Sequence, residues 1–322
     1  MIGIIGAGAF GTALAVALTK GGREVRLWAR DPAQVVAMRK SRRNAALPGV
    51  ELPEGLTFHS DMADVAGGAA LLLAVPMQSL GAVLDAWPLI DTSQPLVACC
   101  KGVDLATLRG PVALILARRP GAMAAILTGP SFAADIAKGL PTALTLATTG
   151  DGAGLQDLLS TPTLRIYRTD DVRGAELGGA LKNVIAIAAG TSDGLGFGDN
   201  SKAALVTRAI VEIRRLGVAC GAQPETFTGL SGLGDLMVTC FSKHSRNRGF
   251  GERVGRGEKP ADIAASMLAV AEGYPTARSA YQLARKHGVT TPVIDEVYAM
   301  LYEGKNVAQA VRDLMSRGLK PE

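Results

Sequence analysis

The chain has 322 residues, 48% of them hydrophobic and 20% charged, with a mean hydropathy of +0.22; this supports a large core and argues against wholesale disorder. The net charge is +5, but basic residues are scattered and aromatics are only 4%. That is too few for the stacking platforms of a nucleic-acid binder, so small anionic ligands explain the positive excess better.

The N-terminal stretch Met1-Ile-Gly-Ile-Ile-Gly-Ala-Gly-Ala-Phe-Gly11 organises the reading. An apolar strand, Ile2 to Ile5, passes directly into Gly6, Gly8 and Gly11, and a helical pattern follows from Thr12 to Lys20. This is a G-x-G-x-x-G fingerprint in its proper strand–turn–helix context. Gly6 suits the turn, Gly8 the close approach of a pyrophosphate, and Gly11 tight helix–strand packing. The helix N-terminus then offers unpaired N–H groups and a positive dipole end to the phosphates.

The second strand is Glu24 to Trp28, with Arg30 at its tip and Asp31 next. An acidic residue at the tip holds the ribose 2′-hydroxyl in NAD sites; Arg30 favours a 2′-phosphate, hence NADP over or alongside NAD. The alternative is a solvated Arg30 with Asp31 capping the next helix. Arg39, Lys40, Arg42 and Arg43 read as a solvated face. Further strands are expected at Leu56–Phe58, Ala69–Val75, Leu96–Cys100, Ala124–Leu127, Thr142–Ala147 and Leu164–Tyr167. Helices fill the gaps at Ala33–Lys40, Ser79–Trp87, Gly110–Ala117, Phe132–Lys138 and Leu155–Leu159. Such alternation predicts an α/β Rossmann-type, doubly wound N-terminal domain over 1–170. From Asp170 the pattern is helical almost throughout, at Gly178–Ala189, Ser201–Leu216, Ala261–Ala271, Thr276–His287 and Pro292–Glu303. An all-α C-terminal substrate domain over 171–322 follows. No apolar run approaches the roughly 18 residues of a membrane span. With no signal-like start, the expected location is the cytoplasm. The four cysteines, Cys99, Cys100, Cys220 and Cys240, show no metal spacing, so no metal is expected.

Ligands of open α/β sheets bind beyond the carboxyl ends of the strands. Pro76, Lys101 and the Gly129-Pro130-Ser131 turn lie at such ends. Lys182 is sharper: Leu177, Ala180, Leu181, Val184, Ile185 and Ile187 surround it, and an ammonium is costly there without a role or a partner. Burial and a second cation would favour the neutral base. Asn183 beside it is placed to bond a substrate hydroxyl or phosphate. The alternative is a lysine snorkelling from an amphipathic helix. Downstream, Gly229-Leu-Ser-Gly-Leu-Gly-Asp235, Thr239 and Ser242-Lys-His-Ser-Arg-Asn-Arg248 read as a polar anion site. There Arg246 can grip a phosphate, with Ser245 and Asn247 adding neutral bonds. An exposed basic loop is the alternative. His244 is a weaker candidate base than lysine.

Taken together, these motifs resemble the bacterial NAD(P)-dependent glycerol-3-phosphate dehydrogenases, essentially end to end. The resemblance rests on Gly6-Ala-Gly-Ala-Phe-Gly-Thr-Ala-Leu14, Ala74-Val-Pro76, Lys101-Gly102, Thr128-Gly-Pro-Ser-Phe-Ala133 and Leu181-Lys-Asn-Val-Ile-Ala-Ile-Ala188. It continues through Gly232-Leu-Gly-Asp-Leu236, Ser245-Arg-Asn-Arg-Gly-Phe-Gly251 and Val270-Ala-Glu-Gly273. The resemblance implies Lys182 as proton acceptor. It implies that Lys101, Gly129, Ser131, Asp235, Ser245, Arg246 and Asn247 contact glycerol phosphate. It places Ala9, Phe10, Arg30, Lys101, Ala133, Arg246, Val270 and Glu272 against the dinucleotide, NAD or NADP. Ala9-Phe10 departs from the Ser/Asn-aromatic pair common at this turn, so backbone N–H groups are expected to carry the pyrophosphate contact. The implied reaction reduces dihydroxyacetone phosphate for phospholipid synthesis, with Lys182 giving the proton and Lys101 and Asp235 supporting it; a homodimer is the expected assembly. Two other readings share these motifs: a lysine-using β-hydroxyacid dehydrogenase acting on a carboxylate, and a non-catalytic NADP sensor.

Overall fold

The computed structural model describes residues 1–87, 94–267 and 269–318. The chain forms two compact units, the first made of Met1–Lys101 and Arg109–Glu176, the second of Gly102–Leu108 and Leu177–Glu322.

In the first unit, strands and helices alternate as β1 (Ile2–Ile5), α1 (Ala9–Lys20), β2 (Val25–Trp28), α2 (Pro32–Ser41), β3 (Leu56–His59), β4 (Ala70–Leu73), α3 (Met77–Ala86) and β5 (Leu96–Ala98). They continue as α4 (Pro111–Arg118), β6 (Ala124–Thr128), α5 (Ala133–Lys138), β7 (Thr142–Thr148), α6 (Gly152–Leu159) and β8 (Leu164–Thr169). The sheet order is β3-β2-β1-β4-β5-β6-β7-β8. Crossovers run both ways from β1, so this is the doubly wound α/β arrangement that the alternation predicts. All pairs are parallel except β6–β7, which is antiparallel. Both faces of the central strands are buried, and their residues alternate between two cores as the period of two requires, while the edge strands β3 and β8 turn Thr57, Arg165 and Tyr167 outward. Ile2, Ile4 and Leu72 pack with Leu14, Leu18 and Phe58 on one face; Ile5, Leu71 and Leu73 pack with Leu80, Leu84 and Ile115 on the other.

The second unit follows the chain along α7 (Val172–Gly194), whose first turn belongs to the first unit. Then come α8 (Asp199–Ala219), a π-helical turn at Leu230–Gly234, α9 (Asp235–Phe241), α10 (Arg246–Gly255), α11 (Pro260–Ser266), α12 (Gly273–Lys286), α13 (Pro292–Tyr302) and α14 (Val307–Met315). Its core gathers Leu181, Val184, Ile185, Ile213, Phe227, Leu236, Phe250 and Ile294. Helix α7 is the spine. A Cβ at Gly190 would strike the Arg248 carbonyl, and one at Gly251 would strike the Ile187 carbonyl, so α7 and α10 meet backbone on backbone. Helices α9, α10 and α14 are additions to the expected pattern, and α11 stops at Ser266 rather than Ala271. The α10 sequence RNRGFGERVG is polar with two internal glycines, which hides its helical period; packing of Gly251 and of the terminal Gly255 on α7 overrides the low propensity of glycine.

Candidate functional site

The first unit builds its candidate site mostly from backbone. Gly6 sits at φ +111°, and a Cβ there would lie 2.5 Å from the Ala74 carbonyl; only glycine fits this turn. A Cβ at Gly11 would strike the Gly6 carbonyl, so α1 can start against the strand end. At Gly8, nothing lies within 4 Å of the Cβ position. Gly8 is exposed and α1 has no side-chain N-cap. Its first-turn N–H groups, including those of the half-buried Ala9 and Phe10, therefore lack the usual capping oxygen. An open glycine beside an uncapped helix start fits the pyrophosphate of a dinucleotide.

Arg30 is exposed after β2, while the Asp31 carboxylate accepts the Ala33 N–H at 2.9 Å and caps α2. The four basic residues that follow are not a uniform solvated face. Arg39 donates to the Phe58 carbonyl. Arg42, in left-handed conformation at φ +51°, donates to the carbonyls of Leu52, Pro53 and Leu56 and lies 4.9 Å over the Phe58 ring. Carbonyls left over at the α2–β3 connection are the physical reason.

At the ends of β5 and β6, two side chains converge on one carbonyl. Lys101 Nζ and Ser131 Oγ each donate to the Gly129 oxygen at 2.9 Å. Gly129 is at φ +128°. Ala133 opens α5 and is half-buried. Burial pushes the neighbouring Cys99 thiol up to about 12 against the opposing Lys101 charge, so it is an inert core group.

The second unit builds its candidate site from side chains. Lys182, only 6% exposed in the middle of α7, donates to Asp235 Oδ1 at 2.5 Å and to Thr239 Oγ1 at 2.7 Å. Thr239 Oγ1 in turn donates to the Asp235 carbonyl at 2.6 Å. The snorkelling alternative therefore does not hold: the side chain is buried and its ammonium is paired with an anion. The second cation expected beside it is, within this unit, a carboxylate. Asp235 is the first residue of α9, directly after the π-helical turn. Cys240, packed nearby, is pushed up to about 12 by burial.

On the next residue of α7, Asn183 Oδ1 accepts Asn247 Nδ2 at 2.9 Å, and Asn247 Oδ1 accepts the Gly273 N–H at 2.9 Å. Asn247 therefore braces the starts of α10 and α12 against α7. Ser245 caps α10, its Oγ accepting the Arg248 N–H at 3.2 Å. The stretch read as a possible exposed loop is thus a capped helix start, with Arg246 exposed on it. Val270 is exposed and Glu272 half-buried just before α12.

Two profiles of one family cover the chain: NAD-dependent glycerol-3-phosphate dehydrogenase N-terminus over residues 1–153 and its C-terminus over 171–312. The chain belongs to the NAD-dependent glycerol-3-phosphate dehydrogenase family. It is 52% identical over 326 residues to the glycerol-3-phosphate dehydrogenase [NAD(P)+] of Cereibacter sphaeroides, covering 100% of both chains. It is 51% identical to that of Paracoccus denitrificans, covering 100% of this chain and 99% of the other. The crystal structure of glycerol-3-phosphate dehydrogenase from Coxiella burnetii matches with a TM-score of 0.94 at 36% identity, covering 98% of both.

For a glycerol-3-phosphate dehydrogenase, sequence reasoning left one buried network unnoticed. Asp193 receives Lys202 Nζ and an Arg248 guanidinium nitrogen, each at 2.5 Å, and Glu252 bridges Arg248 and Arg256. Arg248 stands two residues from Arg246, so the network anchors α10 to the end of α7 and the start of α8. The signal in the sequence was the glycine- and polar-rich run Ser192-Asp-Gly-Leu-Gly-Phe-Gly-Asp-Asn-Ser-Lys202 joining two long helices.

Proposed function

We propose that this chain reduces dihydroxyacetone phosphate to sn-glycerol 3-phosphate and catalyses the reverse, with NAD(P)H as partner, supplying phospholipid synthesis. The observation that carries the reading is the buried Lys182 ammonium, compensated by Asp235 and Thr239, on the helix that α10 crosses. Residues 1–170 are read as the dinucleotide-binding domain and 171–322 as the substrate domain, although Gly102–Leu108 belongs to the second compact unit and 171–176 to the first.

Gly6, Gly8, Ala9, Phe10 and Gly11 hold the pyrophosphate through backbone, and Arg30 serves a 2′-phosphate. Lys101, Ala133, Arg246, Val270 and Glu272 complete the dinucleotide contacts. When bound, the nicotinamide supplies the hydride for the substrate carbonyl carbon. Arg246 grips the substrate phosphate through paired N–H bonds, with the Ser245 hydroxyl and the Asn247 amide beside it. Lys182 holds the proton that the carbonyl oxygen receives, and takes it back from the alcohol in the reverse direction. Asp235 and Thr239 fix the direction of its Nζ. Lys101, with Gly129 and Ser131, polarises and orients the substrate oxygen, while Asn183 bonds a substrate hydroxyl or phosphate oxygen.

A cytoplasmic homodimer completes the proposal. No helix among the described residues is long and apolar enough to cross a membrane, and all four cysteines are free thiols, which suits a reducing compartment. Val211 and Val218, exposed seven residues apart on α8, support a surface for a second copy; sedimentation reporting a monomer at micromolar concentration would remove the dimer.

A substrate panel followed by NADPH absorbance tests the activity. Turnover of dihydroxyacetone phosphate is expected; turnover of a 3-oxo acid instead would give the site to a β-hydroxyacid dehydrogenase. Binding of NADPH without turnover of any substrate would leave a sensor.

A further inference from the structure

The residue that positions the dinucleotide turn lies outside it, in the connection between α2 and β3. Asn44 is 3% exposed, and its amide is fully used. Its Nδ2 donates to the Ala7 carbonyl at 2.9 Å and to Thr12 Oγ1 at 2.8 Å. Its Oδ1 accepts Gln34 Nε2 at 3.1 Å and the Ala46 N–H at 3.0 Å. Gln34 Nε2 donates to the same Ala7 carbonyl at 3.1 Å. Two side-chain amides from one neighbouring segment therefore hold a single oxygen in the middle of the glycine turn.

The peptide between Ala7 and Gly8 is planar and trans, so its carbonyl and its N–H point in opposite directions. Holding the Ala7 oxygen inward aims the Gly8 N–H outward. Glycine at position 8 cannot impose that orientation itself, because it has the widest backbone freedom of any residue. The surface beyond Gly8 is open, and the exposed Arg30 precedes Gln34 by four residues. We propose that Asn44, seconded by Gln34, is a positioning residue that presets the Gly8 amide for the pyrophosphate of the bound dinucleotide. The proposal rests on the dinucleotide reading of the turn. It distinguishes Asn44 from Arg30: the pyrophosphate is common to NAD and NADP, whereas the 2′-phosphate is not.

Asn44→Ala should raise the dissociation constants of NADH and NADPH together, each by about tenfold, measured by fluorescence titration of the folded protein. In steady state, KM for dihydroxyacetone phosphate and kcat at saturating dinucleotide should stay within about twofold of wild type. Thr12→Val should weaken both dinucleotides less, and Asn44→Ala with Thr12→Val should fall short of the product of the single effects, because the two residues share a bond. Should Asn44→Ala fail to fold, Gln34→Met removes one of the two donors to Ala7 from a half-buried position. It should raise both dissociation constants by about threefold. Unchanged dinucleotide binding in a folded Asn44→Ala or Gln34→Met overturns the inference. So does weakening of NADPH alone, or a loss spread equally over kcat and both substrates. A wild-type protein that binds neither dinucleotide would sink the underlying reading instead.

Discussion

The two candidate sites are made of different material. In the first unit, the candidate site is largely backbone, contributed by six consecutive residues, Gly6 to Gly11, with Lys101 donating to a neutral carbonyl. In the second unit, Lys182 is buried and faces a carboxylate 53 residues away and a hydroxyl 57 residues away. The lesson concerns what a substitution leaves behind. Removing Lys101 strips a cation from a neutral carbonyl, that of the buried Gly129, which still accepts the Ser131 hydroxyl. Removing Lys182 strips the counter-charge from Asp235, which is completely buried, and an uncompensated buried charge costs several kcal/mol.

The largest effect that sharpens this contrast is expected at Lys182. Lys182→Met should lower kcat by about 10³-fold, within the span of a lost general acid, whereas Lys101→Met should cost about tenfold in kcat together with a higher KM. Steady-state kinetics with dihydroxyacetone phosphate compare them; equal losses would erase the distinction. Next, Arg246→Ala should raise KM for dihydroxyacetone phosphate by about a hundredfold, the scale of a lost bidentate phosphate contact, with a smaller fall in kcat. A KM that does not move would take the phosphate away from α10. Smaller still, Arg30→Asp should weaken NADPH by about tenfold and leave NADH within about twofold. Equal weakening of both dinucleotides would remove Arg30 from the 2′-phosphate.

The two units share one device, and pH should reveal it. Glu176 in the first unit accepts the Val112 N–H at 2.6 Å, and Glu212 in the second accepts the N–H groups of Val293 and Ile294 at 2.9 Å each. Both carboxylates cap the start of a helix, α4 and α13. Burial nevertheless pushes each up from 4.5 to about 7, against those N–H bonds and against Arg173 and Arg215 respectively. A raised carboxylate means the folded state binds more protons than the unfolded one between those values. The stabilising contribution is complete below about pH 4.5 and declines as pH rises to about 7, by at most about 3 kcal/mol per group. Denaturant unfolding at pH 5 and pH 7.5 measures it. Glu212→Gln keeps one acceptor for the helix start and should flatten roughly half of the slope; an unaltered slope would exclude Glu212 as its source.

The same contrast explains what the sequence made legible. The doubly wound sheet could be read because each strand is an apolar run followed by a turn and a helical period, all local signals. The glycine turn is contiguous, so its residues are named by one motif. Lys182 stood out because an ammonium among Leu181, Val184 and Ile185 has no ordinary explanation. Its partners are different in kind. Asp235 and Thr239 meet Lys182 across 53 and 57 residues, and the Asp193–Lys202–Arg248 network depends on glycines that let α7 and α10 touch. Asn44 escaped notice because one asparagine in a loop carries no period, and its meaning lies in a carbonyl 37 residues earlier and a hydroxyl 32 residues earlier. Antiparallel β7 was invisible for a related reason: its apolar run reads the same in either direction.

The central claim is that Lys182 and Asp235 act as one unit in proton transfer. The direct test is kcat of Lys182→Met, Asp235→Asn and the double variant under identical saturating conditions. Groups that act as a unit are strongly non-additive. The account predicts that the double variant turns over within about twofold of Lys182→Met alone. Losses that multiply, with the double variant slower by the full Asp235→Asn factor, would contradict it.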